Sequence, residues 1–294
     1  MIVGVHGIGK YRYYEEAGGS PGSAAEAMRR KWNGYLGKGL GRGIGRGNGE
    51  YFSEIAYYAH HLRPAALSPG PARSLKQLEL KQMGAPARLV FADWAAQLDG
   101  RLRGAAAAGE SLTGVVHRLT GWLLDSLGPR AVRFAESFCP EVAAYLGGGD
   151  PRSRARDAVA DTIRRRAPRV VIAHSLGSVV TYEALWAQPE LEVELLITLG
   201  SPLGMRNVVF ERLLPAPLNG RGTRPPGVRR WINVADKDDI AAIPSDLGGC
   251  FEGVERDLTC NIDALDFHTV RNYLGCGVVN DYLKPYVLRN EQRL

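Results

Sequence analysis

The chain has 294 residues, 45% of them hydrophobic, and carries a formal net charge of +6 from 37 Lys and Arg against 31 Asp and Glu. That length and apolar content are enough to bury a full core, which excludes a disordered or fibrous chain. No apolar run is long enough to cross a bilayer, and the N-terminus turns polar at Lys10 without a signal-peptide core, so a cytoplasmic protein with no integral membrane segment is expected.

The first predicted element is a strand from Ile2 to His6, leaving through the turn His6-Gly7-Ile8-Gly9. Gly4 to Lys10 has the G-x-x-x-x-G-K skeleton of a phosphate-binding loop. Two parts of that motif are missing, because Tyr11 stands where a magnesium-binding hydroxyl is needed and only Met1 to Val3 precede Gly4. The turn is therefore read as one that faces backbone N–H groups toward some other ligand. Ser23 to Leu36 has helical spacing, and Gly37 to Gly49 alternates glycine with other residues in a way that predicts a flexible loop and cannot complete a dinucleotide fingerprint. Phe52 to Ala59 predicts a second strand.

From Leu75 to Tyr145 the pattern is helical, with Val90, Phe91, Trp94, Ala95 and Leu98 on one face and a second stripe of Leu112, Val115, Val116, Leu119, Trp122, Leu123 and Leu127. Residues 62–150 are expected to form a helical cap inserted in a single domain spanning 1–294. Its second stripe is core or pocket wall ahead of membrane contact, since the opposite face carries Arg118 and Asp125. Much of the excess positive charge follows, in Arg152, Arg154, Arg156, Arg164, Arg165, Arg166 and Arg169. Ala155, Val159 and Ile163 recur among them at helical spacing, and no recognition pattern accompanies the charge, so a solvated helix face is expected and nucleic acid is not.

Arg169 to Ala173 then predicts a short buried strand, followed by a tight turn and an apolar-periodic helix through Trp186. Leu195 to Leu199 and Trp231 to Ala235 predict two more strands. Strands alternating with helices imply an α/β fold, a mostly parallel sheet with helices on both faces. Cys139, Cys250, Cys260 and Cys276 form no C-x-x-C pair, which predicts free thiols and no metal site.

The turn between strand and helix carries chemistry. Ala173-His174-Ser175-Leu176-Gly177 is G-x-S-x-G with alanine in the first place, and a strand turning sharply into a helix lifts its central serine into an exposed, strained conformation. The Leu176 N–H, at the start of the helix, points at the same place. A serine hydroxyl needs a histidine to take its proton and a carboxylate to hold that histidine. In the α/β-hydrolases, whose elbow this stretch resembles, the order is Ser, acid, His, and His268 is the one histidine after Ser175. Asp236, Asp238 and Asp239 all qualify by position as the acid.

These residues give the chain a resemblance to the α/β-hydrolase superfamily, and within it to bacterial serine hydrolases of lipase and esterase type. The likeness runs from Ile2 to about Leu283. Val5-His6-Gly7-Ile8-Gly9 resembles the family's H-G turn, Ala173 to Gly177 its elbow, Leu199-Gly200-Ser201-Pro202 its following strand end, and Trp231 to Ala241 its acid-bearing segment. Ala173 replaces a glycine, and Ala241 stands where a valine is often found. The resemblance implies Asp239, ahead of Asp236, as the acid, and the Ile8 N–H as the second oxyanion donor beside Leu176 N–H. It also implies hydrolysis of a carboxylic ester or related small-molecule acyl substrate through an acyl-Ser175 intermediate, with no cofactor. A non-catalytic protein of the same fold, binding a ligand or partner, is the alternative. His6 is expected to brace its loop, Ser201 to be structural, and His60 and His61 to hold no metal. One end of the Leu112 to Leu127 stripe, at Leu119, is expected to face the acyl pocket.

Overall fold

The computed structural model describes residues 1–41, 51–62, 83–98, 111–262 and 268–287. Most of the glycine-alternating stretch, residues 75–82 and 99–110 of the helical region, and the Asp266-Phe267 pair before His268 lie outside the described residues.

The centre is a parallel sheet of six strands in the order β2-β1-β3-β4-β6-β8. These are β1 (Ile2–Val5), β2 (Phe52–Ala56), β3 (Val170–His174), β4 (Val193–Leu199), β6 (Val228–Ala235) and β8 (Arg256–Thr259). Short strands β5 (Gly222–Thr223) and β7 (Phe251–Glu252) pair separately. Helices α1 (Tyr11–Glu16) and α2 (Pro21–Gly39) precede β2, and α3 (Ala85–Leu98), α4 (Leu112–Leu127), α5 (Pro129–Leu146) and α6 (Asp150–Arg166) precede β3. After β3 come α7 (Leu176–Ala187), α8 (Val270–Gly275) and α9 (Asn280–Val287).

Successive side chains of a strand point to opposite faces, and the apolar runs here serve two cores. Val171 and Ala173 of β3 join the core that includes α3 to α7, while Val170 and Ile172 join the core formed with α2, α8 and α9. The expected α/β architecture is therefore present. From β1 the chain passes to β2 on one side and later to β3 on the other, so the strand order reverses between β1 and β3. The carboxyl ends of strands at such a reversal leave a crevice where ligands bind in open α/β sheets. The turn after β1 and the turn after β3 both emerge there.

Some elements differ from expectation for local reasons. β2 stops at Ala56, short of Ala59, because the Tyr58 N–H donates to His6 Nε2 at 3.1 Å and leaves the ladder. β8, with the sequence Arg-Asp-Leu-Thr, is a polar edge strand and gives no apolar signal. In α6 the stripe Ala155, Val159 and Ile163 is buried as expected, and Arg154, Arg164, Arg165 and Arg166 pair with Asp150, Asp161 and Glu54. Arg152 departs from the solvated face: it is buried against Glu183. The four cysteines are free. Among the described residues no helix is long and apolar enough to cross a membrane, and no group of His, Cys, Asp or Glu side chains is arranged to hold a metal ion.

Candidate active site

β3 ends at His174 and α7 begins at Leu176, leaving Ser175 alone to turn the chain, with φ 55° and ψ −134°. A non-glycine residue at such angles is strained, and it persists only where neighbours fix it on both sides. The Ser175 N–H donates to the Leu199 carbonyl at 2.9 Å, and its own carbonyl accepts the Ser178 N–H at 2.9 Å and the Ser178 hydroxyl at 2.6 Å. Ser178 Oγ lies 2.7 Å from Ser201 Oγ, so Ser201 braces the elbow from the end of β4, a structural role. Close passage requires glycine at two points. A Cβ at Gly177 would strike the His6 carbonyl, and one at Gly7 would lie 2.5 Å from Ser175 Cβ. The turn after β1 is thereby packed directly on the serine.

Ser175, His268 and Asp239 are brought together from three separate segments. His268 Nε2 is 2.7 Å from Ser175 Oγ, and His268 Nδ1 is 2.9 and 2.7 Å from Asp239 Oδ1 and Oδ2. The carboxylate can only accept, so the Nδ1–H donates to Asp239 and Nε2 is left to accept the serine proton. Asp239 also accepts the Ala241 N–H at 2.9 Å and the Tyr273 hydroxyl at 2.6 Å, and it is buried. Asp236 does not reach the histidine: its two oxygens accept the N–H groups of Asp238 and Ile262 and brace the turn. Asp238 is exposed.

Compared with protein-family models, with curated proteins and with solved structures, the chain matches none.

Among the described residues the N–H groups of Ile8 and Leu176 donate to no other group. Leu176 opens α7, where helix geometry leaves its N–H without an internal acceptor. Ile8 follows Gly7 in the turn packed on Ser175. Ile8 and Leu176 thus each directly follow one partner of the Gly7–Ser175 contact. His6 holds that turn: its Nδ1–H donates to the Gly7 carbonyl at 2.8 Å, its Nε2 accepts the Tyr58 N–H, and the Tyr58 hydroxyl donates to the His6 carbonyl at 2.8 Å. Burial pushes His6 down to about 3, so it is neutral at pH 7. Burial also drives His174 well below the usual imidazole range, and its ring centroid lies 4.8 Å from that of His268. Beyond the end of β2, His60 stacks with Tyr14 and Tyr57, and His61 lies tilted against His60.

Ser175 is fully buried, and the His268 side chain is only 6% exposed. Part of the cover comes from α3 and α5. Trp94 Nε1–H donates to the Ile240 carbonyl beside Asp239 at 2.8 Å, and Phe134 meets the His268 ring edge-on at 5.0 Å. Leu119 is buried with Val115, Val116 and Leu123 in the core shared with α3 and α5, the same core that holds Ile8 and Leu176.

Sequence reasoning missed Tyr273, Phe134 and Glu141. Tyr273 belongs to no motif and sits in α8, a helix the apolar pattern does not announce. Phe134, Phe138, Glu141 and Tyr145 recur at i, i+4, i+7 and i+11 in α5, and a carboxyl within an aromatic stripe is a signal that marks Glu141.

Proposed function

We propose that this chain is a serine hydrolase of α/β-hydrolase type that cleaves a carboxylic ester or related acyl substrate through an acyl-Ser175 intermediate. The observation that carries the reading is the continuous hydrogen-bonded line from Asp239 through His268 to Ser175 Oγ, on a serine held at strained angles. His268 Nε2 removes the hydroxyl proton as Ser175 Oγ bonds to the acyl carbon. Asp239 holds the histidine tautomer and offsets the imidazolium charge. The N–H groups of Ile8 and Leu176 receive the oxyanion, where two fixed donors in a water-poor site act most strongly. Collapse breaks the bond to the leaving group, which takes the proton from His268. Water then attacks the acyl carbon with His268 again as base, and Ser175 leaves with the proton. Acyl transfer to another nucleophile follows the same steps.

In this reading the helical region, expected over 62–150, is a cap that contributes Phe134, Trp94 and Glu141 around the site and keeps water from it. The full burial of Ser175 favours one other reading, a non-catalytic protein of the same fold that encloses a ligand. Labelling with a small fluorophosphonate separates them. An activated serine becomes phosphonylated at Ser175, and Ser175→Ala abolishes both labelling and turnover of p-nitrophenyl esters. A serine that stays unlabelled in folded protein supports the binding reading.

A further inference from the structure

We propose that Glu141, on α5, is a positioning residue for the turn that carries the Ile8 oxyanion donor. The proposal rests on the serine hydrolase reading and adds to it a residue outside the triad and the two donors. Glu141 Oε1 accepts the Gly9 N–H at 2.8 Å, across 132 residues of sequence. His6 fixes the turn at its beginning, and Glu141 fixes it at its end, with Ile8 between the two anchors.

The same face of α5 performs both ends of the task. Phe134 stands edge-on to His268, and Glu141 is seven residues further along, about 10 Å on a helix rising 1.5 Å per residue. α5 therefore holds the base and the oxyanion turn at a set separation. A carboxyl in this place is not explained by packing. Glu141 is 9% exposed and lies on a stripe otherwise made of Phe134, Phe138 and Tyr145, and burial pushes its carboxyl up to about 7. An apolar residue would be less costly to bury, but it would leave the Gly9 N–H without an acceptor.

Displacing a preorganised donor weakens an interaction made only in the transition state, so the loss falls on kcat. Glu141→Met keeps length and bulk but removes the acceptor, whereas Glu141→Gln keeps an acceptor oxygen. With p-nitrophenyl butyrate as probe, Glu141→Met is expected to lower kcat by about 10- to 100-fold with KM within about twofold. The rate of fluorophosphonate labelling falls in proportion, and Glu141→Gln restores most of both. A purely structural residue would lower thermal stability without that split and without rescue by glutamine. Labelling and kcat in Glu141→Met equal to those of the unmodified protein would overturn the proposal while leaving the hydrolase reading intact. An unmodified protein that does not label at Ser175 would overturn both. Should the methionine variant not fold, amide exchange in the unmodified protein decides: the Gly9 N–H is expected to be protected at least about tenfold, and exchange at the rate of an unstructured chain overturns the contact.

Discussion

The Tyr273 hydroxyl donates to Asp239 Oδ2 at 2.6 Å and accepts the Asp236 N–H at 3.1 Å. One side chain of α8 thus ties the carboxylate facing His268 to the turn that presents it. Tyr273→Phe removes only that oxygen. A hydrogen bond to a charged group contributes about 1.5 to 3 kcal/mol, so kcat/KM for a p-nitrophenyl ester should fall by about 10- to 150-fold. An unchanged rate would show that Tyr273 is packing alone.

Asp239 and Asp236 occupy one turn but do different work. Asp239→Asn should slow turnover by roughly 10⁴, the consequence of losing the carboxylate that fixes the histidine tautomer. Asp236→Asn should lower the urea midpoint, because Asp236 bonds the N–H groups of Asp238 and Ile262, and should cost far less in rate. Steady-state kinetics of the two purified variants decide it, and the reverse ranking would move the acid to Asp236.

Behind the elbow, Glu183 of α7 accepts from the Tyr145 hydroxyl at 2.7 Å, Arg152 Nε at 2.9 Å and the Leu214 N–H at 3.1 Å. It joins α5, α6 and α7 in one buried network. Glu183→Ala leaves Arg152 buried without its carboxylate and should cost about 3 to 5 kcal/mol in denaturant unfolding. Ser175 should still label at low temperature. A loss under about 1 kcal/mol would mean that water satisfies the arginine.

Glu141 gives stability a pH dependence of known sign. Its carboxyl has an ordinary value of 4.5 and is raised to about 7 by burial, against the Gly9 hydrogen bond and the Lys10 charge, with Tyr57 and Tyr58 the other titratable groups that its charge reaches. A raised value means the folded state holds the proton more tightly. Its contribution is complete below about pH 4.5 and is lost as pH rises through 7. Glu141→Gln lacks this loss, so relative to the unmodified protein it should gain roughly 3 kcal/mol between pH 4 and pH 8. Parallel unfolding free energies at the two pH values would contradict the assignment.

Much of this site was legible in the sequence because two turns carry it. Val170 to Gly177 announces a buried strand, a strained serine and a helix in eight consecutive residues, and Ile2 to Gly9 announces the facing strand and turn. His268 could be read by elimination, since no other histidine follows Ser175. Tyr273 and Glu141 could not be read that way. Their roles come from tertiary placement, one beneath Asp239 and the other across the turn from Gly9, and neither position falls in a local motif. For Leu119 the helical stripe reveals which face is buried but not what it is buried against, and the stripe of α4 gives no sign of the edge-on contact that Phe134 on α5 makes with His268.

The proposed chemistry passes through an acyl bond to Ser175 Oγ, which can be trapped. Rapid mixing with p-nitrophenyl butyrate should release a burst of p-nitrophenol approaching one equivalent per protein molecule if deacylation is the slower step. Acid quenching followed by peptide mass analysis should then find a butyryl group on the peptide containing Ser175. Ser175→Ala should show neither. Turnover that persists in Ser175→Ala, or an acyl group found on a different residue, would rule out the acyl-Ser175 intermediate.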